Sequence, residues 1–283
     1  MIARLSLAAL GLSFCLPALA GAQETDAPPV TPGPPAIGET ITIGGGVGMT
    51  ADYTGSNEYQ IIPALALRGT YKGVRFASRG TYLTADLMPK AEGKLQFNLG
   101  PIAGVRLNRV SRPKDEIVKL LPKRKAAIEL GGFAGVSLSG LTNPFDSLSF
   151  RVDALHDING AHGSTVISPS VSFGTPLSFK TYVSLSASAD YVQDDYARTY
   201  FSIDADDAAA SGLPVFDAKG GMQGWKVSLL ANQAISGNLL GGWSLFGLAS
   251  YGKLRGDFAD SPIVSLRGSP KQGMGAIGLA YTF

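Results

Sequence analysis

The stretch Val183-Ser-Leu-Ser-Ala-Ser-Ala-Asp-Tyr191 decides the fold of this chain. Within it, every odd-numbered position is apolar and every even-numbered position is serine or aspartate. A period of two is the repeat of a β-strand, whereas a helix repeats every 3.6 residues. The stretch therefore predicts a strand with one apolar face and one polar face.

The same alternation returns along most of the chain. It is clear in residues 65–71, 148–154, 225–231 and 276–283, where only Leu230 breaks the pattern. Turn residues separate the segments, as expected between strands. We expect strands near residues 40–53, 59–71, 74–87, 95–107, 126–138, 147–156, 163–174, 181–192, 224–235, 242–254 and 272–283.

The number of these segments is odd, which an ordinary bacterial barrel does not allow. Such a barrel has an even number of strands when both termini lie on the same side of the membrane. A break of residues 74–87 at Gly80 gives twelve strands, and this is our prediction. The alternative is ten strands, with one early segment not forming a separate strand.

Three features favour a membrane barrel over a soluble β-sandwich. The segments are long, and a tilted strand needs about 9 to 11 residues to cross a bilayer. Short connections alternate with long ones, the long loops being residues 108–125 and 193–223. Aromatic residues lie near segment ends, as membrane-interface girdles require: Tyr182, Tyr191, Trp225, Trp243, Tyr251 and Phe283. We therefore predict an all-β fold, a transmembrane antiparallel up-and-down β-barrel over residues 39–283.

Residues 1–22 have the composition of a cleaved signal peptide. Arg4 precedes an apolar run that is shorter than the ~20 residues of a spanning helix, and small residues follow it. Two cleavage sites predict a mature chain that begins near Gly21 or Gln23. Residues 23–38 are rich in proline and predict an extended periplasmic lead-in. The expected location is the bacterial outer membrane, with both termini in the periplasm.

Charge and cysteine content narrow the possible functions. Cys15 lies inside the signal, so the mature chain is expected to have no disulfide and no cysteine chemistry. The large Phe14 before Cys15 argues against a lipid anchor. The 24 Lys and Arg residues nearly balance the 22 Asp and Glu residues. We therefore expect no nucleic-acid partner, and no cofactor is indicated.

Several segments resemble the MipA/OmpV family of MltA-interacting proteins. They are residues 200–217, 259–264 with 267–269, 52–56 and 278–283. The long-loop signature rests on Tyr200, Phe201, Ser211, Gly212, Leu213 and Pro214. The resemblance implies an outer-membrane barrel, which in some members links a lytic transglycosylase to a peptidoglycan synthase. Residues 108–125 depart from the more acidic loop of that family.

Charged residues fall on the faces that the alternation assigns to the lumen. They are Arg68, Arg75, Arg79, Arg106, Glu129, Arg151, Asp153 and Asp190. Rings of charge select ions in some channels. A barrel of ten to twelve strands is narrow, however, because open porins use about 16 to 18 strands. We therefore favour a polar core in which these charges pair with one another.

His156 and His162 are the only histidines, and Ser164 follows them. A serine and a histidine on a barrel rim would suit a lipid-modifying enzyme. No nucleophile motif surrounds Ser164, and a metal site with Asp157 would require the turn to fold back on itself. We therefore predict polar loop histidines, with no catalytic and no metal site.

Two loop segments carry further charge. Asp204, Asp206 and Asp207 lack the glycine and glutamate of a calcium loop, so Asp204 is expected to cap a short helix ended by Gly212. This helix would form a small plug or lid. Residues 114–125 are basic and would either bind lipopolysaccharide phosphates or form a solvated loop.

Three functions follow from these observations. The first is a non-enzymatic scaffold or anchor for peptidoglycan-remodelling enzymes, with a lytic transglycosylase and a peptidoglycan synthase as partners beside outer-membrane lipid and lipopolysaccharide. The second is a narrow solute or ion channel. The third is a lipid-modifying barrel enzyme. We prefer the first, which the family resemblance implies.

Overall fold

The computed structural model describes residues 39–283, so the predicted signal peptide and lead-in lie outside the described residues. These residues form a closed antiparallel barrel of twelve strands. The strands are β1 (Thr40–Ala51), β2 (Tyr59–Tyr71), β3 (Val74–Arg79), β4 (Tyr82–Asp86), β5 (Leu95–Arg106), β6 (Ala127–Ser139), β7 (Ser147–Asp157), β8 (Thr165–Pro176), β9 (Thr181–Val192), β10 (Gly221–Ala234), β11 (Gly242–Leu254) and β12 (Lys271–Thr282). Each strand pairs with its neighbours in sequence, and β1 closes the barrel against β12.

The prediction of twelve strands is confirmed. The segment near residues 74–87 breaks at Gly80 into β3 and β4, which are only 6 and 5 residues long. Gly80 has a φ of 57°, a left-handed conformation that favours glycine in a tight turn. The alternative of ten strands is therefore wrong.

The two faces of the strands differ as the alternation predicted. In β9, Ser184 and Ser186 are buried in the lumen while Leu185, between them, is exposed on the outside. Leu65 is 75% exposed on β2 and Ile277 is 53% exposed on β12. A closed barrel with an apolar outer surface suits lipid. The chain is thus an outer-membrane β-barrel.

The aromatic residues near the strand ends divide between the two faces. On the outside, Trp225 stacks edge-on against Tyr251, and Trp243 stacks against Tyr281. Tyr182 is the exception, because it lies on the same face as the lumen serines and is only 6% exposed. Its assignment to an outer girdle was wrong. Tyr182 instead packs inside the barrel against Leu230, the residue that breaks the alternation of β10.

The loops at the two ends of the barrel differ in size. The three longest loops, 107–126, 193–220 and 255–270, all follow odd-numbered strands. Because successive strands run in opposite directions, these loops lie at the same end of the barrel, opposite to its termini. We call that end the cap end and the other the termini end. At the cap end, loops 107–126 and 193–220 have nearly the bounds that the sequence predicted, 108–125 and 193–223. β10 begins at Gly221, earlier than expected, because a β-bulge between Met222 and Gly224 lets it continue pairing with β9.

The lumen is filled unevenly. Small residues line β1 and β12, and Phe246 from β11 packs against them. A Cβ atom at Gly278 would lie 2.6 Å from the Phe246 ring, so glycine is needed there. On the opposite wall the registers of β5 to β8 stack inward-facing residues in layers. From the termini end these layers contain serines, then Arg151, then Asp153 beside Phe133, then Ile102 and Leu155, and finally Glu129.

Candidate functional site: the capped lumen

The cap is a small apolar core built from loops at one end of the barrel. We define it as loops 52–58, 107–126, 158–164, 193–220 and 255–270. It contains α1 (Asp194–Phe201), α2 (Ala205–Ser211), α3 (Asp257–Asp260), α4 (Pro262–Ser265) and a short 3-10 turn at Val118–Leu120. Fully buried members of its core include Tyr196, Tyr200, Phe201, Phe258 and Ile263. The loops therefore hold one another in place rather than hanging free in solvent.

Polar contacts lock these loops together. Arg267 holds the Asp115 carboxylate with two nitrogens, at 2.8 and 3.2 Å. Asp115 also accepts hydrogen bonds from the backbone N–H groups of Ile117 and Val118, both at 2.9 Å. Tyr53 donates to the Ile263 carbonyl at 2.8 Å. Three loops distant in sequence are thus joined through side chains.

Arg109 is a charged residue inside this core. It is 1% exposed, and its Nη1 donates to the Tyr200 carbonyl at 3.2 Å. Burial lowers the pKa of Arg109 to about 10, and the nearby Arg124 adds to the effect. Its φ of 57° is unusual for a residue with a side chain. Arg109 therefore ties loop 107–126 to α1 from a buried and strained position.

The family-signature residues lie in the cap. Tyr200, Phe201 and Leu213 belong to its apolar core. Gly212 ends α2 with a φ of 74°, as the sequence predicted, and Asp204 begins α2 by accepting from the Asp207 N–H at 2.8 Å. Ser211 is buried and donates to the Asp207 carbonyl, whereas Pro214 is exposed. These residues build the cap.

Beneath the cap, the buried Glu129 carboxylate forms a network with three other side chains. It accepts from Arg106 Nε at 2.7 Å, from the Tyr82 hydroxyl at 2.7 Å and from His162 Nε2 at 2.9 Å. Glu129 and the side chain of His162 have no exposed surface. A carboxylate so far from water requires such partners. His162 also packs edge-on against Tyr196 of α1, so the network joins the cap to the barrel wall.

The two histidines do not form one site. His156 is exposed on the outer face of β7 and contacts Thr165 at 3.0 Å. His162 lies in loop 158–164 and makes polar contacts, but it is buried, with 4% of its surface exposed. Its Nδ1 accepts from the Ser164 backbone N–H at 3.2 Å, which leaves the proton on Nε2, facing Glu129. The Ser164 hydroxyl instead accepts from the Tyr196 N–H at 3.0 Å. This geometry does not activate a serine nucleophile.

Closer to the termini end, three arginines share two carboxylates. Arg75 Nη2 binds Asp86 at 2.6 Å, while Arg79 and Arg151 both bind Asp153. The pair between Arg79 on β3 and Asp153 on β7 connects strands that are not neighbours. The guanidinium carbon of Arg151 lies 3.5 Å from the centroid of the Phe133 ring. We call Arg75, Arg79 and Arg151 with their carboxylates the arginine cluster.

All eight predicted lumen charges lie on inward-facing positions of their strands. Six of them belong to the Glu129 network or the arginine cluster. Asp190 accepts from the Ser168 hydroxyl at 2.5 Å and lines a cavity under the cap with Lys226 and Gln272. Arg68 faces the lumen from β2, on the side of Tyr182.

The basic loop uses several of its charges within the protein. Lys114 donates to the Tyr59 carbonyl at 2.6 Å, and Arg124 lies 3.8 Å from the Asp207 carboxylate. Lys125 donates to the Asn159 carbonyl at 2.5 Å. The loop is therefore a folded part of the cap.

Within residues 39–283 no group of three or more His, Cys, Asp or Glu side chains is arranged to hold a metal ion. None of the helices in this part of the chain is long and apolar enough to cross a membrane.

Sequence reasoning missed two features of the site. The apolar cap core, with Tyr53, Phe258 and Ile263, has no helical or strand period that would reveal it. A signal was available in the family-like segments, since residues 52–56, 200–217 and 259–264 all lie in the cap. The second feature is the burial of His162, which depends on the fold of the loop around it.

Comparison with known proteins places the chain in a family. None of the curated proteins matches it. Solved structures similar to it include the NanC porin, at 10% identity and a TM-score of 0.45, covering 86% of this chain and 98% of that one. An outer-membrane channel from Pseudomonas putida F1 has 11% identity and a TM-score of 0.43, covering 93% and 100%. The CymD monoaromatic hydrocarbon channel has 11% identity and a TM-score of 0.40, covering 90% and 89%. The family model described as MltA-interacting protein MipA matches residues 43–283. The chain therefore belongs to the MipA family.

Proposed function

We propose that this protein is a non-enzymatic outer-membrane anchor for a peptidoglycan-remodelling enzyme. The observation that carries the proposal is the family match over residues 43–283, since the family is described by its interaction with MltA, a lytic transglycosylase. A peptidoglycan synthase is the second partner that such a scaffold would join to it. In this proposal the termini end faces the periplasm, where peptidoglycan lies.

The shape of the barrel supports an anchoring role over chemistry. Six of the eight predicted lumen charges lie in ion pairs, and the cap core lies at the cap end. At the termini end the turns 140–146 and 177–180 carry apolar side chains into solvent. Phe145 is 54% exposed, Leu177 is 66% exposed and Phe179 is 89% exposed. Exposed apolar groups on a rigid rim are typical of protein-binding surfaces.

A capture experiment tests this proposal. The full-length barrel in detergent micelles is immobilised and offered a purified MltA-type transglycosylase. We expect capture by the wild type, and about fivefold less by a variant with Phe145→Ser and Phe179→Ser, because apolar anchors dominate such interfaces. The matched control is Leu120→Ser, which removes a 51% exposed apolar residue at the cap end. Capture no greater than by an unrelated barrel would contradict the proposal.

A narrow channel is the second candidate. The observation that favours it is the cavity under the cap, which Thr50, Ser250, Lys226 and Asp190 line from the lumen side. Polar walls of this kind suit a hydrated solute. We rank this function lower because the cap core lies above the cavity.

A further inference from the structure

We infer that the arginine cluster is a binding site for a small organic oxyanion, a carboxylate or a phosphate, that enters from the termini end. This function is separate from anchoring an enzyme, and neither proposal depends on the other.

The cluster has an excess of positive charge. It contains the guanidinium groups of Arg75, Arg79 and Arg151 but only the carboxylates of Asp86 and Asp153. Asp153 is divided between two arginines, so neither has a carboxylate to itself. An anion placed among these groups would balance the remaining charge. Guanidinium groups bind carboxylate and phosphate oxygens in pairs, which makes them well suited to this ligand.

Some arginine donors are unsatisfied. Within residues 39–283, Arg79 Nε and Arg151 Nη2 are buried and have no hydrogen-bond partner. Buried donors without partners are costly, and native proteins normally satisfy more than nine in ten of them. An acceptor placed between the two arginines could satisfy both groups. An oxyanion has several oxygens with which to supply it.

The cluster can be reached from the termini end. The side chains of Arg75 and Arg151 keep 29% and 22% of their surface exposed. Half-buried serines of β6, β7 and β8 line the wall between Arg151 and the termini end: Ser137, Ser139, Ser147, Ser149 and Ser172. These hydroxyls offer hydrogen bonds to a ligand that carries its own hydroxyl groups.

One wall of this path is already organised by hydrogen bonds. Ser149 donates to Ser137 at 2.8 Å, and Ser137 donates to Asn98 at 2.8 Å. Asn98 then donates to the Asp86 carboxylate at 2.7 Å. The polar groups are thus held in place from the serine layer to the arginine cluster. A fixed polar wall lowers the cost of ordering when a ligand binds.

The wall beside the cluster is apolar on its cap side. Ile102 on β5 and Leu155 on β7 lie closer to the cap than Asp153 in the strand registers. They pack with Phe133, which pairs with Asp153, and the three side chains are 1%, 8% and 4% exposed. The Glu129 network lies further towards the cap. We therefore expect an anion at the arginines to be held on the termini side of this apolar wall.

Calorimetric titration of the full-length protein in neutral detergent tests this inference. The probes are glucuronate for a carboxylate, glucose 6-phosphate for a phosphate, and glucose as the uncharged comparison. We expect saturable binding of at least one anion and none of glucose. Binding of only one anion identifies the ligand class. The absence of saturable heat with both anions would overturn the inference.

Two variants should change the anion affinity in opposite directions, which a purely structural cluster would not do. Arg151→Gln removes a donor and a charge and should weaken binding about tenfold, as expected for a charged hydrogen bond. Asp153→Asn removes the shared counter-charge and should strengthen binding. Lys226→Gln, which removes a lumen charge outside the cluster, is the matched control and should leave binding unchanged.

Folding of each variant is checked by its heat-dependent mobility on gels. Equal affinity in the wild type and in a folded Arg151→Gln barrel would contradict the assignment. Weaker binding in a folded Asp153→Asn barrel would do the same. If both the aspartate and the arginine variant fail to fold, the wild-type titration still tests the inference, because it compares the binding of the two anions with that of glucose.

Discussion

At the scale of single residues, Glu129 connects the barrel wall to the cap, because it binds His162, which packs against Tyr196 of α1. Its carboxylate is fully buried and accepts from Arg106, Tyr82 and His162. A buried ion pair adds little net stability compared with an apolar pair, but removal of one partner leaves a charge without compensation.

We predict that Glu129→Gln lowers the free energy of unfolding by about 3 kcal/mol, because it removes a charged partner of the buried Arg106 guanidinium. The measurement is urea unfolding in micelles, with the folded fraction read from gel mobility. The control is Glu92→Gln, which changes an exposed carboxylate in loop 87–94. If the free energies of unfolding of the two variants differ by less than about 0.5 kcal/mol, the usual range for surface changes, the Glu129 network does not stabilise the fold as predicted.

The sequence predicts the direction of each lumen side chain but not its partner. Alternation was enough to point Arg79 and Asp153 inward. Their pairing across the lumen depends on barrel curvature and on registers that join residues 74 positions apart. The burial of His162 depends on where loop 158–164 meets α1. Period and composition contain neither kind of information.

At the scale of elements, the contact between Asp115 and Arg267 holds loop 107–126 against loop 255–270. Burial raises the pKa of Asp115, but hydrogen bonds from Arg267, Val118 and Ile117 outweigh it and hold the pKa below its usual value of 3.8. A carboxyl with a lowered pKa in the folded state stabilises the fold above its unfolded pKa. That contribution is lost as the pH falls through the folded pKa.

We therefore expect the two loops to loosen below about pH 4, the range where an unperturbed aspartate takes up its proton. Burial raises the pKa of Asp52 and of Asp207, so these two groups act in the opposite direction. The variant Asp115→Asn separates these contributions. It removes the carboxyl whose protonation destabilises the loops and leaves Asp52 and Asp207 unchanged.

The measurement is amide hydrogen exchange in residues 110–121 at pH 3 and pH 6, corrected for the intrinsic rates. The wild type should lose more protection at pH 3 than Asp115→Asn does. Arg198→Gln is a suitable control, since the Arg198 pairs lie on the exposed face of α1. The same loss in wild type and Asp115→Asn would mean that Asp115 does not control the acid response.

The strands were predictable and most of the cap was not, for a physical reason. A membrane strand must alternate because lipid lies on one side and the lumen on the other, so each strand shows in the sequence. The cap is surrounded by water and held by contacts between loops, which impose no period. α2 is the exception, because an N-cap aspartate and a C-terminal glycine mark its two ends.

At the scale of the whole molecule, the two ends of the barrel differ. Its wall has twelve strands, and the loops at one end form an apolar cap. Its other end carries both chain termini of the barrel, since β1 pairs with β12. Serines and the arginine cluster lie towards that end, and the apolar and Glu129 layers lie towards the cap. We therefore expect a function at the termini end and no flow through the lumen.

The closed lumen is the central claim, and conductance across a planar bilayer tests it most directly. Purified full-length barrel is inserted at neutral pH, and insertion is verified independently by recovering the protein from the membrane. We predict no steady current above that of the bare bilayer, because the paired charges and the cap block the path. Steady ohmic steps that increase with the amount of inserted protein would contradict the claim and establish the channel instead.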